Sequence, residues 1–223
     1  MLNKGLTKSA LRRQREKQLR RSTILMAAEH LFASKGYRKT RIEDIADIAE
    51  VSVGAVYGHF KNKEALLVAV LDDIGMFTRK LAGNAFMKGN SILDGIEKAG
   101  VAFFEELCLP YPEKIRLLFD ESIGVSDQFT SARRTFMDKV TGDVHKALME
   151  AKNGMGLKYY SRITSEVIAV CITSIYAGLG NYYKFWEKHP EDTMAIGAEV
   201  VRYIVGGIQG LIVNNSEVLQ VET

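Results

Sequence analysis

The chain has 223 residues, of which 47% are hydrophobic and 9% aromatic, a composition typical of folded globular proteins and not of disordered ones. The net charge of +3 is unevenly distributed, because residues 1–65 contain 14 Lys or Arg against 7 Asp or Glu. No run of about 18 apolar residues predicts a membrane span, and the charged N-terminus is unlike a secretory signal. A basic N-terminal third suits contact with DNA, and we expect a cytoplasmic protein without membrane contact.

The hydrophobic pattern predicts an all-α fold. Long segments repeat apolar residues with a period of 3.6, strand-like alternation is scarce, and the chain has only three prolines. The two cysteines, Cys108 and Cys171, lie in apolar sequence surroundings without CxxC spacing, so we expect both to be buried free thiols.

Residues 1–21 form a basic arm. Its cations are Lys4, Lys8, Arg12, Arg13, Arg15, Lys17, Arg20 and Arg21, with Glu16 as the single acidic residue. Two interpretations are open. The arm binds phosphates or the DNA minor groove, or it is a solvated tail or helical extension that only adds charge. The first clear helix is predicted from Ser22 to Lys35, with Gly36 ending it.

The stretch from Thr40 to Leu67 contains two short helices separated by a tight break near residues 50–51. Thr40 followed by Glu43 has the spacing of a capping box for the first helix. Ser52 is suited to cap the second, in which Val56 and Phe60 share one face. This arrangement is that of a helix-turn-helix, although an ordinary helical hairpin has the same periodicity.

The segment VGAVYGHFKNKEAL resembles the recognition segment of the tetracycline-repressor (TetR) family of bacterial transcription regulators. The residues that carry the resemblance are Tyr57, His59, Phe60, Lys61, Lys63, Glu64 and Leu66. The likeness is specific over residues 24–70. It implies an N-terminal three-helix DNA-binding domain over residues 22–67 and a larger helical domain over 68–215 that binds an effector and dimerises, with a tail at 216–223.

The resemblance also implies which residues contact DNA. Base edges would be approached by Ser52, Val53, Gly54 and Ala55, and the DNA backbone by Thr40, Tyr57, His59 and Lys63. Further candidate DNA contacts are Arg41, Lys61 and, from the basic arm, Arg20 and Arg21. The base-facing set has no long polar side chain for a bidentate contact with guanine or adenine. We therefore expect modest direct readout, with specificity coming from thymine methyl contacts, DNA shape and the basic arm.

The rest of the chain is predicted to be helical, with loops at 83–90 and 153–156 and a break at Pro110 and Pro112. The predicted helices span 63–82, 92–109, 113–123, 129–151, 158–187 and 193–213, and Asn62 is suited to cap the first of them. The last two carry stripes with small residues. The resemblance implies that they pair with those of a second copy in a homodimer, whereas intramolecular packing would produce the same stripes.

The resemblance further implies a cavity for a small effector, and the aromatic content favours an apolar or aromatic one. The candidate lining residues are Phe77, Phe103, Phe104, Phe119, Phe136, Thr173, Tyr176 and Asn181. The alternative is a plain core, because aromatic residues at helical spacing are usually core residues.

No catalytic motif, cofactor motif or cluster of metal ligands is present in the sequence, so we expect no enzyme, cofactor or metal site. We expect a dimeric transcriptional regulator, most simply a repressor that an effector releases from its operator. Two alternatives stay open: a DNA-binding protein of this fold without a small effector, controlled by a partner or architectural, and a helical enzyme or carrier.

Overall fold

A computed structural model describes residues 7–119, 126–155, 158–159, 161–181 and 190–213. The described helices are α1 (Lys8–Ser34), α2 (Ile42–Ile48), α3 (Val53–His59), α4 (Lys63–Phe86), α5 (Ile92–Ala102), α6 (Pro112–Phe119), α7 (Asp127–Met155), α8 (Thr164–Asn181) and α9 (Thr193–Gln209). A π-helical segment, Phe103–Cys108, continues α5, and a 3₁₀ turn, Pro190–Asp192, precedes α9. The predicted all-α class is confirmed.

The structure adds one long-range feature to the predicted helices. Two-residue strands β1 (Lys158–Tyr159) and β2 (Ile212–Val213) pair antiparallel, with Lys158 opposite Val213. This pairing brings the residues before α8 next to those after α9.

Helix α1 is longer than predicted, because it begins at Lys8 and not at Ser22. Thr7 caps it by accepting a hydrogen bond from the amide of Ala10 at 3.3 Å. The helix ends where Gly36 adopts a positive φ of 88°, as predicted for that glycine. Residues 8–21 are therefore a helical extension with exposed cations, whereas residues 1–6 and the tail at 216–223 lie outside the described residues.

Helices α1, α2 and α3 enclose a small core. Phe32 and Ile45 are fully buried, and Val56 and Phe60 close the core from α3. The buried cluster continues from these residues into α4, α6 and α7. The DNA-proximal helices and the larger bundle therefore share one continuous core along α4.

Two of the three predicted caps are confirmed. Ser52 Oγ accepts from the amide of Ala55 at 3.1 Å, and Asn62 Oδ1 accepts from the amide of Ala65 at 2.8 Å. The predicted cap at Thr40 is wrong. Its buried hydroxyl donates to the carbonyls of Leu31 (3.2 Å) and Gly36 (2.9 Å), because Thr40 lies inside the turn that joins α1 to α2.

The C-terminal boundaries differ from prediction at several places. Helix α4 continues through Gly83 to Phe86, and α7 continues through residues 153–155, although the sequence predicts loops at both places. Helix α8 begins at Thr164 and not at residue 158, because β1 occupies that segment. Cys108 is partly buried, as expected, but Cys171 is exposed on α8 and its predicted burial is wrong.

Candidate DNA-binding surface and ligand cavity

Helix α3 presents one polar, open face to solvent. Ser52, Gly54 and Tyr57 are exposed, whereas Val56 is buried and Val53 packs partly against the core. The turn before α3 places Glu50 in the left-handed region at φ 53°, where its amide bonds to Asp47 and that of Val51 to Ala46. This turn sets the angle at which α3 leaves α2.

Two residues that are predicted to contact DNA phosphates, Lys63 and Thr40, bond to backbone carbonyls of the protein itself. The Lys63 ammonium group donates to the carbonyls of Tyr37 (2.9 Å), Thr40 (2.9 Å) and Arg38 (3.4 Å) and lies 4.5 Å from the centre of the Tyr37 ring. Burial lowers the pKa of Lys63. Its three N–H donors are thus directed at the α1–α2 turn. The side chain of Thr40 is equally unavailable, because it is buried.

The basic extension of α1 lies beside α3. A cleft between the two helices, here called the basic cleft, is lined by Arg13, Glu16, Lys17, Arg20, Ala55, Gly58 and His59. Burial and then the charges of Lys17, Arg20 and Arg21 lower the pKa of His59. The Arg21 guanidinium also lies 5.3 Å from the centre of the Phe60 ring. An excess of fixed positive charge therefore borders the open face of α3.

A cavity of about 290 Å³ lies in the larger bundle, between α4, α5, α7 and α8. Its lining includes the predicted Phe103, Phe119, Phe136, Thr173 and Tyr176. Sequence reasoning missed the residues that α4 contributes, among them Thr78, Arg79, Ala82 and Gly83. Nothing in their spacing separates a cavity wall from a packed core, so no sequence signal identifies them.

Two of the predicted lining residues that the structure describes, Phe77 and Phe104, are not part of this wall. Phe77 is 37% exposed and packs edge-on against Tyr111, on the other side of α4. Phe104 is buried outside the 290 Å³ cavity and touches a separate small recess near Cys108. The side chain of Asn181 lies outside the described residues.

An ion pair stands in the cavity wall. Arg79 Nε and Nη2 on α4 bond to Asp143 Oδ2 (2.6 Å) and Oδ1 (3.0 Å) on α7, a bidentate geometry. On the opposite helix, Tyr176 packs 4.8 Å from Phe103 between ring centres, and burial raises its pKa. The Cys108 thiol lies nearby, and burial raises its pKa to about 12.

The outer faces of α8 and α9 are open to solvent. The exposed apolar residues on this side follow the predicted stripe. Ile163, which directly precedes α8, is 52% exposed, and Val167 and Val170 on α8 are 42% and 48% exposed. On α9 the predicted stripe consists of five residues that differ in exposure. Ala195 and Ala198 are exposed, Val205 is partly buried, and Val201 and Ile208 are buried. Within the described part of the chain, each helix therefore leaves apolar or small residues exposed.

Comparison with known proteins decides the family. A family model described as "Bacterial regulatory proteins, tetR family" matches residues 24–70. The HTH-type transcriptional regulator RutR of Escherichia coli (strain K12) is 31% identical over 157 residues, which cover 69% of this chain and 68% of RutR. The chain belongs to the tetR family of bacterial regulatory proteins. It is a transcriptional regulator and not an enzyme.

Other transcriptional regulators are similar to this chain over the DNA-binding domain or in the overall fold. The HTH-type transcriptional regulator TtgR of Pseudomonas putida is 43% identical over 63 residues, covering 28% of this chain and 30% of TtgR. The solved structure of FadR from Bacillus subtilis in complex with stearoyl-CoA shares 17% identity and a TM-score of 0.68, covering 83% of this chain and 98% of FadR. TetR-family regulators bind DNA, dimerise and bind small effectors. None of the helices in the described part of the chain is long and apolar enough to cross a membrane.

Proposed function

We propose that the protein is a homodimeric repressor that binds a two-fold operator through α3 and is released when a small effector fills the cavity. The observation that carries this proposal is the course of α4. The helix starts at Lys63, three residues after Phe60 of the α3 core, and its far half supplies Thr78, Arg79 and Gly83 to the cavity wall. One rigid element thus connects DNA contact to cavity occupancy.

The DNA contacts are assigned by exposure and charge. The start of α3, at Ser52, Val53, Gly54 and Ala55, approaches base edges. Phosphates are bound by Arg20 and Arg21 from α1, Arg41 directly before α2 and a group around the end of α3: Tyr57, His59 and Lys61. An α-helix is about 10–12 Å across and the minor groove about 6 Å wide, so the helical extension of α1 binds along the phosphate backbone and not inside that groove.

DNA binding is tested by fluorescence anisotropy with labelled DNA from the intergenic region beside the gene. We expect selective binding that weakens steeply with salt, because each phosphate contact releases counterions. Replacing Lys17 and Arg20 with Gln should weaken binding to all sequences and reduce the salt slope. Lys146→Gln, an exposed neutralisation on α7, is the matched control and should change nothing. Binding that is independent of salt, or that does not distinguish the intergenic DNA from random DNA, would contradict the proposal.

Dimerisation is assigned to the last two helices, supported by the exposed apolar residues on α8. Sedimentation equilibrium should give a dimer, since a two-fold operator needs a two-fold protein. Val170→Glu should give a monomer, because it places charge in the centre of the interface. Val101→Glu on α5 replaces a valine of similar exposure away from these faces and should leave the dimer intact. A dimer that survives Val170→Glu would place the interface elsewhere.

The cavity favours the effector-controlled regulator over a DNA-binding protein without a small effector. Ligand sites are concave and mostly apolar with a few placed polar groups, and this cavity has that composition. An effector acts by binding one of two conformations more tightly, and a difference of about 1–3 kcal/mol changes operator affinity by 5–150-fold.

A further inference from the structure

We propose that the effector is a small organic acid whose apolar body fills the cavity and whose carboxylate replaces Asp143 as the partner of Arg79. This inference rests on the proposed function, because it names the chemical class of the effector and the contact through which it acts.

The wall of the cavity selects an apolar body. Apart from Arg79 and Asp143, the described lining residues are apolar or carry a hydroxyl group. Thr78 already donates to the carbonyl of Ile74 at 2.9 Å, and Thr173 to that of Ala169 at 2.9 Å. Both hydroxyl groups therefore already donate a hydrogen bond and do not need an acceptor from the ligand. A ligand rich in polar groups would lose hydration here without gaining hydrogen bonds.

The volume limits the size of that body. A volume of about 290 Å³ lies at the lower end of the roughly 300–1,000 Å³ that is usual for ligand pockets. A single aromatic ring with a short chain, or a medium-length aliphatic chain, fits this space.

The geometry of the ion pair favours an acid over a base. The Asp143 side chain is 52% exposed and that of Arg79 only 33%, so the carboxylate is the more easily released to water. An incoming carboxylate needs to displace only Asp143, and the guanidinium keeps a bidentate anionic partner. A cationic ligand would have to displace Arg79, the more buried of the two groups.

Tyr176 supplies a further polar contact. The side chain of Tyr176 lines the cavity, and burial raises the pKa of its hydroxyl. The hydroxyl fits against α5 because residue 100 is glycine, where a Cβ atom would lie 2.5 Å from it. A polar atom of the ligand can bond to this group.

The exchange of partners connects the ligand to DNA binding. The Arg79–Asp143 pair ties α4 to α7. A ligand carboxylate on Arg79 removes that tie, so α4 is held differently in the liganded state. Because α4 follows α3 in the chain, the acid is expected to lower operator affinity.

Isothermal titration calorimetry on the full chain tests the inference with matched probes. These are 4-phenylbutyrate, 4-phenylbutyramide and 4-phenylbutylamine, and octanoate with its amide and amine. We expect one acid or both to bind at least about tenfold more tightly than the matching amide and amine, because only a carboxylate forms the charge-assisted bidentate bond with Arg79. The same acid should weaken operator binding.

Three variants separate the roles of the two charges. Arg79→Gln should abolish the preference for the acid, and Asp143→Asn should tighten acid binding several-fold by removing the competing carboxylate. Lys139→Gln, one turn from Asp143 on the same helix, is the control and should change neither. Arg79→Gln is expected to weaken acid binding and Asp143→Asn to tighten it, and unfolding cannot produce both effects. Thermal unfolding without ligand shows whether each variant is folded.

The inference is overturned if amides bind as tightly as acids, if an amine binds in a manner that Asp143→Asn abolishes, or if none of the six compounds binds. Operator binding is measured on the same preparation. Intact operator binding without acid binding refutes this inference alone, whereas absent operator binding refutes the proposed function.

Discussion

The ammonium group of Lys114 on α6 is ion-paired with the carboxylate of Glu29 on α1, and both side chains are only 15% exposed. Helix α6 ends at Phe119, which lines the cavity, and α1 carries the basic cleft. The ammonium group also lies 5.7 Å and 5.5 Å from the ring centres of Phe77 and Tyr111. This pair is therefore a second connection, beside α4, between the effector domain and the DNA-binding domain.

Removing one partner of this pair leaves a largely buried charge alone. Glu29→Gln or Lys114→Gln should each lower the free energy of unfolding by on the order of 3 kcal/mol. The double variant should lose less than the sum of the two, because neither charge is then unpaired. Urea denaturation measures all three. Lys98→Gln disrupts the more exposed pair with Asp94 and should lose much less than either Glu29→Gln or Lys114→Gln. Additive losses at Glu29 and Lys114 would show that the two do not interact.

Lys63 and Lys61 are expected to respond differently to the same substitution. Lys63→Met removes hydrogen bonds from a charged donor to carbonyls of the α1–α2 turn and should cost about 2 kcal/mol of stability. Lys61→Met should leave stability unchanged and reduce the salt slope of DNA binding by about 0.9 for each phosphate that it no longer neutralises. Urea denaturation and salt-dependent anisotropy measure the two effects. The assignment is wrong if Lys63→Met lowers the salt slope without loss of stability.

His59 is expected to make operator binding depend on pH. Burial and neighbouring cations lower its pKa below the usual 6.5, so the imidazole is neutral near pH 7 in the free protein. A DNA phosphate at this position would favour the protonated form and raise that pKa. Protons are then taken up on binding, and operator affinity should rise as the pH falls from 8 towards 6. Anisotropy titrations at fixed ionic strength measure this rise.

The pH effect has a specific control. His59→Gln should remove the rise in operator affinity. His30→Gln replaces an exposed histidine on α1 and should retain that rise. The stability of the free protein should instead decrease as the pH falls. Because the pKa of His59 is lower in the folded state, its contribution is present above pH 6.5 and is lost as the pH falls through the folded value. Parallel pH profiles for the wild type and His59→Gln would argue against a phosphate contact.

Glu50 occupies a backbone conformation that favours glycine. Its φ of 53° closes the turn between α2 and α3, and a side chain in the left-handed region is disfavoured by about 1 kcal/mol. Glu50→Gly should therefore raise stability by up to about 1 kcal/mol. Glu43→Gly, inside α2, should lower it by about the same amount. Thermal unfolding compares the two, and a destabilised Glu50→Gly would show that the Glu50 side chain contributes more than its strain costs.

Much of the fold could be predicted because local chemistry decides it. Ser52 and Asn62 cap their helices as expected, and Gly36 ends α1. The extension of α1 from Lys8 could not be predicted as a definite element, because it has no apolar stripe to reveal its helical period. The pairing of β1 with β2 joins segments more than 50 residues apart, which no local pattern encodes.

The candidate site was only partly predictable, because the type of a residue does not reveal where its side chain points. Thr40 and Lys63 have the chemistry of phosphate-binding groups, yet the turn after α1 directs both towards carbonyl oxygens. Phe77 and Phe136 are both aromatic residues on amphipathic helices, but only Phe136 reaches the cavity. Which aromatic residues surround empty space depends on how neighbouring helices diverge, and a hydrophobic period contains no such information.

Helix α4 has 24 residues, which at 1.5 Å per residue makes a rod of about 36 Å. A rotation of about 3° around its cavity end would move its other end by about 2 Å. In a two-fold dimer both recognition helices would move symmetrically, so their separation would change by up to about 4 Å. Successive major grooves on one side of DNA are about 34 Å apart, and that distance is fixed. A small rotation of α4 at the effector is therefore enough to make the separation of the two recognition helices differ from the spacing of the major grooves. Both half-sites of the operator then lose contacts together.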